Sequence, residues 1–149
     1  MTKTILLIED NASDEKLTLL AFKRCGVPTE IRVERDGAAA LEYLFATGKH
    51  VGREAGALPT LVLLDLKLPR LDGLEVLRRI RANPATALLP VVVLTSSKQD
   101  EDLIQSYSLG ANAYIRKPVE FSEFLEAAKT LGLFWLGLNE TAPVGNRGT

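Results

Sequence analysis

Residues 61–69 read Leu61-Val62-Leu63-Leu64-Asp65-Leu66-Lys67-Leu68-Pro69: an apolar run, one carboxylate, and a break at proline. A short unbroken apolar run suits a strand buried on both faces, as in a parallel sheet with helices above and below. Asp65 stands where that strand ends, and open α/β sheets gather their chemistry in the crevice beyond the carboxyl ends of the strands. Asp65 is therefore a site candidate on position alone. An acid that only shapes the turn into the next helix is the alternative at this point.

Similar punctuation recurs on both sides of this stretch. Thr4 to Glu9 is a run rich in Ile and Leu that ends in Glu9 and Asp10. Ser13 can cap a helix carrying Leu17, Leu20, Ala21 and Arg24, with Gly26 as its stop. Thr29 to Arg35 alternates Ile31 and Val33 with polar residues, as a half-buried strand near an edge does. Asp36 opens a second helix through Leu41, Tyr43 and Leu44, closed by Gly48, and residues 48–59 read as a long exposed connection. After Asp65, the pair Asp72 and Glu75 resembles a capping box for a helix that buries Leu74, Leu77 and Ile80 and exposes Arg78, Arg79 and Arg81. Pro84 and Pro90 bracket a surface turn. Val91 to Leu94 ends at Thr95-Ser96-Ser97, and Ser97 can cap a helix with Leu103, Ile104, Tyr107 and Leu109. Ala111 to Ile115 is a short last strand before Arg116-Lys117-Pro118. The final helix starts near Glu120 and aligns Phe121, Phe124, Leu125, Ala128, Leu131 and Trp135. Strands and helices alternate five times, which predicts an α/β fold: a doubly wound five-stranded parallel sheet. One domain over residues 1–138 and a flexible tail over 139–149 are expected.

Composition narrows the function classes. Lys plus Arg at 18 against Asp plus Glu at 19 gives a net charge of −1, without the basic footprint of a nucleic-acid binder. Cys25 is the only cysteine, so neither an internal disulfide nor a multi-cysteine zinc site can form. No signal peptide or membrane span is evident, and a reducing cytoplasm is the expected compartment.

Four strands end in chemically useful groups: Glu9 with Asp10, Asp65, Thr95, and Lys117. In a parallel sheet these ends share one edge. Three carboxylates together repel one another, and a divalent cation relieves that repulsion; hard oxygen ligands suit Mg²⁺. A carboxylate can also act as a nucleophile and form an aspartyl phosphate, with Asp65 the central candidate. Phosphoryl transfer spreads charge over the phosphoryl oxygens, so Lys117 and the metal would stabilise it and the Thr95 hydroxyl would donate to one of those oxygens.

Five elements in this order resemble the receiver domains of two-component response regulators, over nearly the whole chain: Glu9-Asp10 after the first strand; Asp65 with Pro69; Asp72-Gly73; Thr95-Ser96 after the fourth strand; and Lys117-Pro118 after the fifth. The resemblance implies a flavodoxin-like fold and a phosphoryl group taken by Asp65 from a sensor histidine kinase. It implies Mg²⁺ held by Asp10, Asp65 and the backbone carbonyl of Lys67, with Glu9 binding through water. It also implies a switch in which the Tyr114 ring turns inward as Thr95 moves toward the phosphoryl group, and a cis peptide at Lys117-Pro118. Ordinary strand packing with a surface hydroxyl is the plain alternative for Tyr114. The connection over 48–59, the string Ser106 to Tyr114 and the ending Phe134 to Asn139 look like the small regulators that partner phytochrome histidine kinases, including bacteriophytochromes.

Other residues admit plainer readings. His50 reads as a solvated side chain and Cys25 as packed, while Lys67 could lean over the phosphoryl group and alter its lifetime. Leu133, Phe134 and Leu136 lie off the main stripe of the last helix, which points to a homodimer through that helix, the fourth helix and the fifth strand; folding back on its own domain is the alternative. A phosphatase of haloacid-dehalogenase type is the enzymatic rival, but it needs a second acid where Lys67 stands. A nucleotide-binding module would want a phosphate-cradling loop where Glu9-Asp10-Asn11 is acidic. A receiver-like scaffold that is never phosphorylated is the third reading.

Overall fold

Leu61–Leu64 forms the central strand, and all four side chains are completely buried. The computed structural model describes residues 3–24, 26, 28–52, 58–117 and 120–142. In chain order it contains β1 (Lys3–Ile8), α1 (Ala12–Arg24), β2 (Thr29–Glu34), α2 (Gly37–Phe45), a 3-10 turn (Gly48–His50), β3 (Leu61–Leu64), α3 (Gly73–Ala82), β4 (Val91–Thr95), α4 (Asp100–Ser108), β5 (Ala113–Arg116) and α5 (Phe121–Leu131). A wider π-helical stretch, Gly132–Leu138, continues from α5. The sheet order is β2-β1-β3-β4-β5 and every pairing is parallel. The doubly wound five-stranded sheet expected from the sequence is the observed one.

Alternation along the strands divides the core in two. Leu6, Ile8, Val62, Leu64, Val91 and Val93 pack with Leu41, Leu44, Val76, Leu77 and Ile80 of α2 and α3. Ile5, Leu7, Leu61, Leu63, Val92 and Leu94 pack with Phe22, Phe124, Ala128 and Leu131 of α1 and α5. Each fully buried aliphatic side chain is worth about 1.5–3 kcal/mol. A polar substitution within β3 would therefore remove support from one layer, that of α2 and α3 at Val62 or Leu64 and that of α1 and α5 at Leu61 or Leu63.

Several local expectations change. Helix α1 is capped by Asn11, whose Oδ1 accepts from the Asp14 backbone N–H at 3.0 Å, and Ser13 lies inside the helix. Its buried face is Thr18, Ala21 and Phe22, while Leu20 is exposed. Helix α2 ends before the expected stop at Gly48, at the left-handed C-cap Ala46 (φ 55°), and Gly48 opens the next turn. Ser97 does not cap α4 directly: its hydroxyl donates to Asp102 at 2.5 Å and accepts from the Gln99 backbone, while Gln99 is the capping position. Arg81 is half-buried, donating to the carbonyls of Gly110 and Leu89 at 2.9 and 2.7 Å and to Asn112 at 2.9 Å. It joins α3 to the loop before β5 rather than facing water. His50 is not solvated either: it packs edge-on against Tyr43, with Nε2 3.2 Å from buried Glu34. Both contacts come from residues distant in sequence.

At the chain's end, the π-helical stretch turns Leu136 into the core and places its carbonyl 2.6 Å from Lys3 Nζ. Part of the apolar end therefore folds back, while Leu133, Phe134 and Leu138 remain exposed. The expectations for Cys25, the Lys117-Pro118 peptide and the tail from Pro143 onward lie outside the described residues. Among the described residues no helix is long and apolar enough to cross a membrane.

Candidate functional site

Parallel pairing brings the predicted groups together. The ladder runs past the formal strand ends: the Asp65 N–H donates to the Ile8 carbonyl at 3.0 Å, and the Lys117 N–H donates to the Thr95 carbonyl at 2.8 Å. The backbones carrying Asp65, Thr95 and Lys117 are thus fixed by the sheet itself. Gly73 holds the exit from β3 close, because a Cβ there would lie 2.4 Å from the Asp65 carbonyl oxygen. Asp72 caps α3 by accepting from the Glu75 N–H at 3.0 Å, so the Asp72-Gly73 pair both starts the helix and packs it on Asp65.

Asp65 is buried and its oxygens are engaged. Oδ1 accepts from the Thr95 hydroxyl at 3.0 Å and from the Lys67 backbone N–H at 3.2 Å, and Oδ2 accepts from Lys117 Nζ at 3.1 Å. The ammonium also donates to Glu9 at 2.6 Å and to Asp14 at 2.7 Å, using all three of its N–H groups. Glu9, Asp10 and Asp65 can each offer one oxygen within 4.8 Å of the others. Three converging carboxylates fit a hard divalent cation. The Lys67 side chain is exposed, whereas its backbone faces Asp65.

The charges are arranged unequally. Burial, followed by the hydrogen bond to Asp65, pushes the Glu9 carboxyl from its ordinary 4.5 up to about 8. Burial also disfavours charge on Asp65, but the Glu9 hydrogen bond, the Lys117 charge and the Lys67 N–H hold it below the usual carboxylate range. Burial works against the Lys117 ammonium too, and the hydrogen bonds to Asp14 and Glu9 with the charge of Asp65 outweigh it and raise its pKa. One proton thus stays on Glu9 while Asp65 remains an anion.

This arrangement predicts a pH dependence for the metal-free protein. Because Glu9 binds its proton more tightly folded than unfolded, its contribution to stability is complete below pH 4.5 and is lost as pH rises through about 8. Thermal melts in chelator from pH 5 to 9 should show a falling midpoint that Glu9→Gln flattens. A slope unchanged in Glu9→Gln assigns it to other groups.

Two residues add to the sequence reading. The hydroxyl of Tyr114 is buried without a hydrogen-bond partner among the described residues, so it does not sit at the surface as in plain strand packing. Asp14 was not anticipated. An acid in the first turn of a helix ordinarily complements the helix dipole, and only the fold brings this one to Lys117. Its place just after the acids ending β1 was the available signal.

A parallel 2-1-3-4-5 sheet with an acid-lined crevice around a buried aspartate defines a receiver-type phosphoacceptor. The family model for the response regulator receiver domain matches residues 5–129, and the chain belongs to that family, the phosphoacceptors of two-component signalling. It is 42% identical over 137 residues to the "Probable methanogenesis regulatory protein FilR2" of Methanothrix harundinacea, covering 92% of this chain and 86% of that protein. The Mn²⁺-bound form of response regulator Rcp1 superposes with a TM-score of 0.86 at 36% identity, covering 95% and 99% of the two chains; Rcp1 is a Synechocystis protein. The bacteriophytochrome response regulator AtBRR gives a TM-score of 0.75 at 49% identity, covering 94% and 99%. Membership in the receiver family, with Lys67 in place of a second acid, sets aside the dehalogenase-type phosphatase.

Proposed function

We propose that this protein is a single-domain response regulator whose Asp65 accepts a phosphoryl group from the phosphohistidine of a sensor histidine kinase. The observation that carries the reading is the convergence of Lys117 and Thr95 on the two oxygens of Asp65 beside Glu9 and Asp10. One Asp65 oxygen attacks phosphorus as the bond from phosphorus to the donor nitrogen breaks, its electron pair leaving with nitrogen. Asp10, Asp65 and the Lys67 carbonyl would hold Mg²⁺, with Glu9 reaching it through water. The metal would supply positive charge beside the phosphoryl oxygens. Lys117 and Thr95 then serve phosphoryl oxygens in place of the free carboxylate, and Thr95 with Tyr114 forms the switch.

Residues 1–138 would constitute the receiver and 139–149 a tail. The likeness to AtBRR, together with the Mn²⁺ in Rcp1, supports a phytochrome-type kinase as partner and a divalent metal as cofactor. Incubation with Mg²⁺ and either phosphoramidate or a bacteriophytochrome kinase first autophosphorylated with ATP should add one phosphoryl mass, lost on treatment with hydroxylamine as an acyl phosphate is. No added mass with any donor defeats the reading and favours a scaffold that is never phosphorylated.

Exposed Leu133, Phe134 and Leu138, with Ile104 and Tyr107 on α4, support a homodimer formed by the C-terminal helix, α4 and β5. Sedimentation at micromolar concentration should show a dimer that Phe134→Glu dissociates. A monomer throughout rules it out.

A further inference from the structure

We propose that Asp14 is a positioning residue that restrains Lys117 and so limits how fast Asp65 is phosphorylated; this rests on the phosphoacceptor reading above. The Lys117 ammonium has three N–H donors, and the two shorter contacts go to Glu9 at 2.6 Å and Asp14 at 2.7 Å rather than to the nucleophile. The contact to Asp65 is the longest, at 3.1 Å. At rest the lysine is therefore held chiefly by its two flanking acids.

These acids are not equivalent. Glu9 belongs to the three-carboxylate cluster and is almost wholly buried. Asp14 lies outside that cluster, in the first turn of α1, placed by Asn11 through the hydrogen bond to its backbone N–H. Neutralising it leaves the candidate cation set intact and weakens one of the three contacts that hold the lysine.

A phosphoryl group reaching Asp65 brings more negative charge than the carboxylate alone, and it draws the ammonium toward its oxygens. Asp14 opposes this in two ways. Its hydrogen bond must lengthen as the lysine advances, and its charge neutralises part of the cation that the transition state needs. Lys117 keeps its three protons throughout. With phosphoramidate as donor, one Asp65 oxygen bonds to phosphorus, the P–N bond breaks, and the departing nitrogen takes a proton from water.

The acid's ordinary role would be to complement the α1 dipole. Glu15 separates the two roles, because it lies in the same turn but pairs with Arg35 at 2.8 Å. At saturating Mg²⁺, Asp14→Asn should raise the initial rate of phosphorylation by phosphoramidate about threefold or more, the scale of one unit charge removed near a partly solvated site. Glu15→Gln should leave that rate at the wild-type value. A second measurement needs neither metal nor phosphate. In chelator, a small acylating reagent should modify the Lys117 amine faster in Asp14→Asn than in wild type or Glu15→Gln, as read by peptide mass.

An Asp14→Asn rate equal to or below wild type overturns the restraint, as does unchanged Lys117 labelling. An equal rise in Glu15→Gln also overturns it, by assigning the effect to the helix terminus as a whole. If wild-type protein takes up no phosphoryl group, the phosphoacceptor reading fails; the labelling then still decides whether Asp14 holds the lysine.

Discussion

Asp65→Asn is expected to take up no phosphoryl group from any donor, because an amide has no carboxylate lone pair with which to attack phosphorus at a useful rate. The same variant should remain folded. An asparagine oxygen can still accept from the Thr95 hydroxyl and the Lys67 N–H, the two contacts that Oδ1 makes now. Its NH₂ group would face Lys117 Nζ, donor against donor, so the lysine should settle on Glu9 and Asp14. Asparagine also avoids the desolvation that a buried Asp65 carboxylate suffers, which offsets the lost Lys117 contact, and stability should change by only about 1 kcal/mol. Intact mass and a denaturant titration read the two effects. Phosphoryl mass appearing in Asp65→Asn would move the acceptor to another residue.

Lys117→Ala should alter both stability and chemistry. Lys117 is 6% exposed and neutralises a pocket in which Glu9 and Asp65 are also buried. Removing one partner of a buried ion pair costs about 3–5 kcal/mol because the remaining charge is left uncompensated. Here protonation limits the penalty, so about 2–3 kcal/mol at pH 8 is expected in chelator. Without the ammonium the Glu9 carboxyl moves further up and the Asp65 carboxyl loses a cause of its depression, so the folded state holds more protons relative to the unfolded chain. The penalty therefore shrinks on acidification to pH 5. Phosphorylation by phosphoramidate should slow about tenfold or more, since one of the positioned cations is gone. Denaturant titrations at the two pH values and a mass time course check both parts. A penalty that grows toward pH 5 would show that the carboxylates are not its source.

Features determined by strand ends could be read from the sequence. The apolar run before Asp65, the acids after β1, the hydroxyl after β4 and the lysine after β5 all mark points where a buried strand reaches the crevice, and parallel topology brings those points together. Contacts that depend on where a helix crosses its neighbours could not. Arg81 looks like one more exposed arginine of α3 until the loop at Gly110 lies beside it. His50 finds Glu34 and Tyr43 only after α2 has packed on β2. Leu136 fails the 3.6-residue period because the chain widens into π turns at Gly132, which moves it to the buried side. Asp14 illustrates both cases: its helix is legible in the sequence, but its contact with Lys117 exists only once α1 and the end of β5 lie side by side.

The crowding around Asp65 has a consequence for the durability of a phosphoryl group placed there. Thr95, Lys117 and the Lys67 N–H together stabilise the free carboxylate, and the free carboxylate is what remains when the phosphoryl group departs. The pocket thus makes Asp65 a good leaving group as well as an oriented acceptor. A phosphoryl group attached to such an oxygen would be biased toward its own erasure, so a message written here would be temporary, its duration set by how well the rearranged pocket shields the new bond from water.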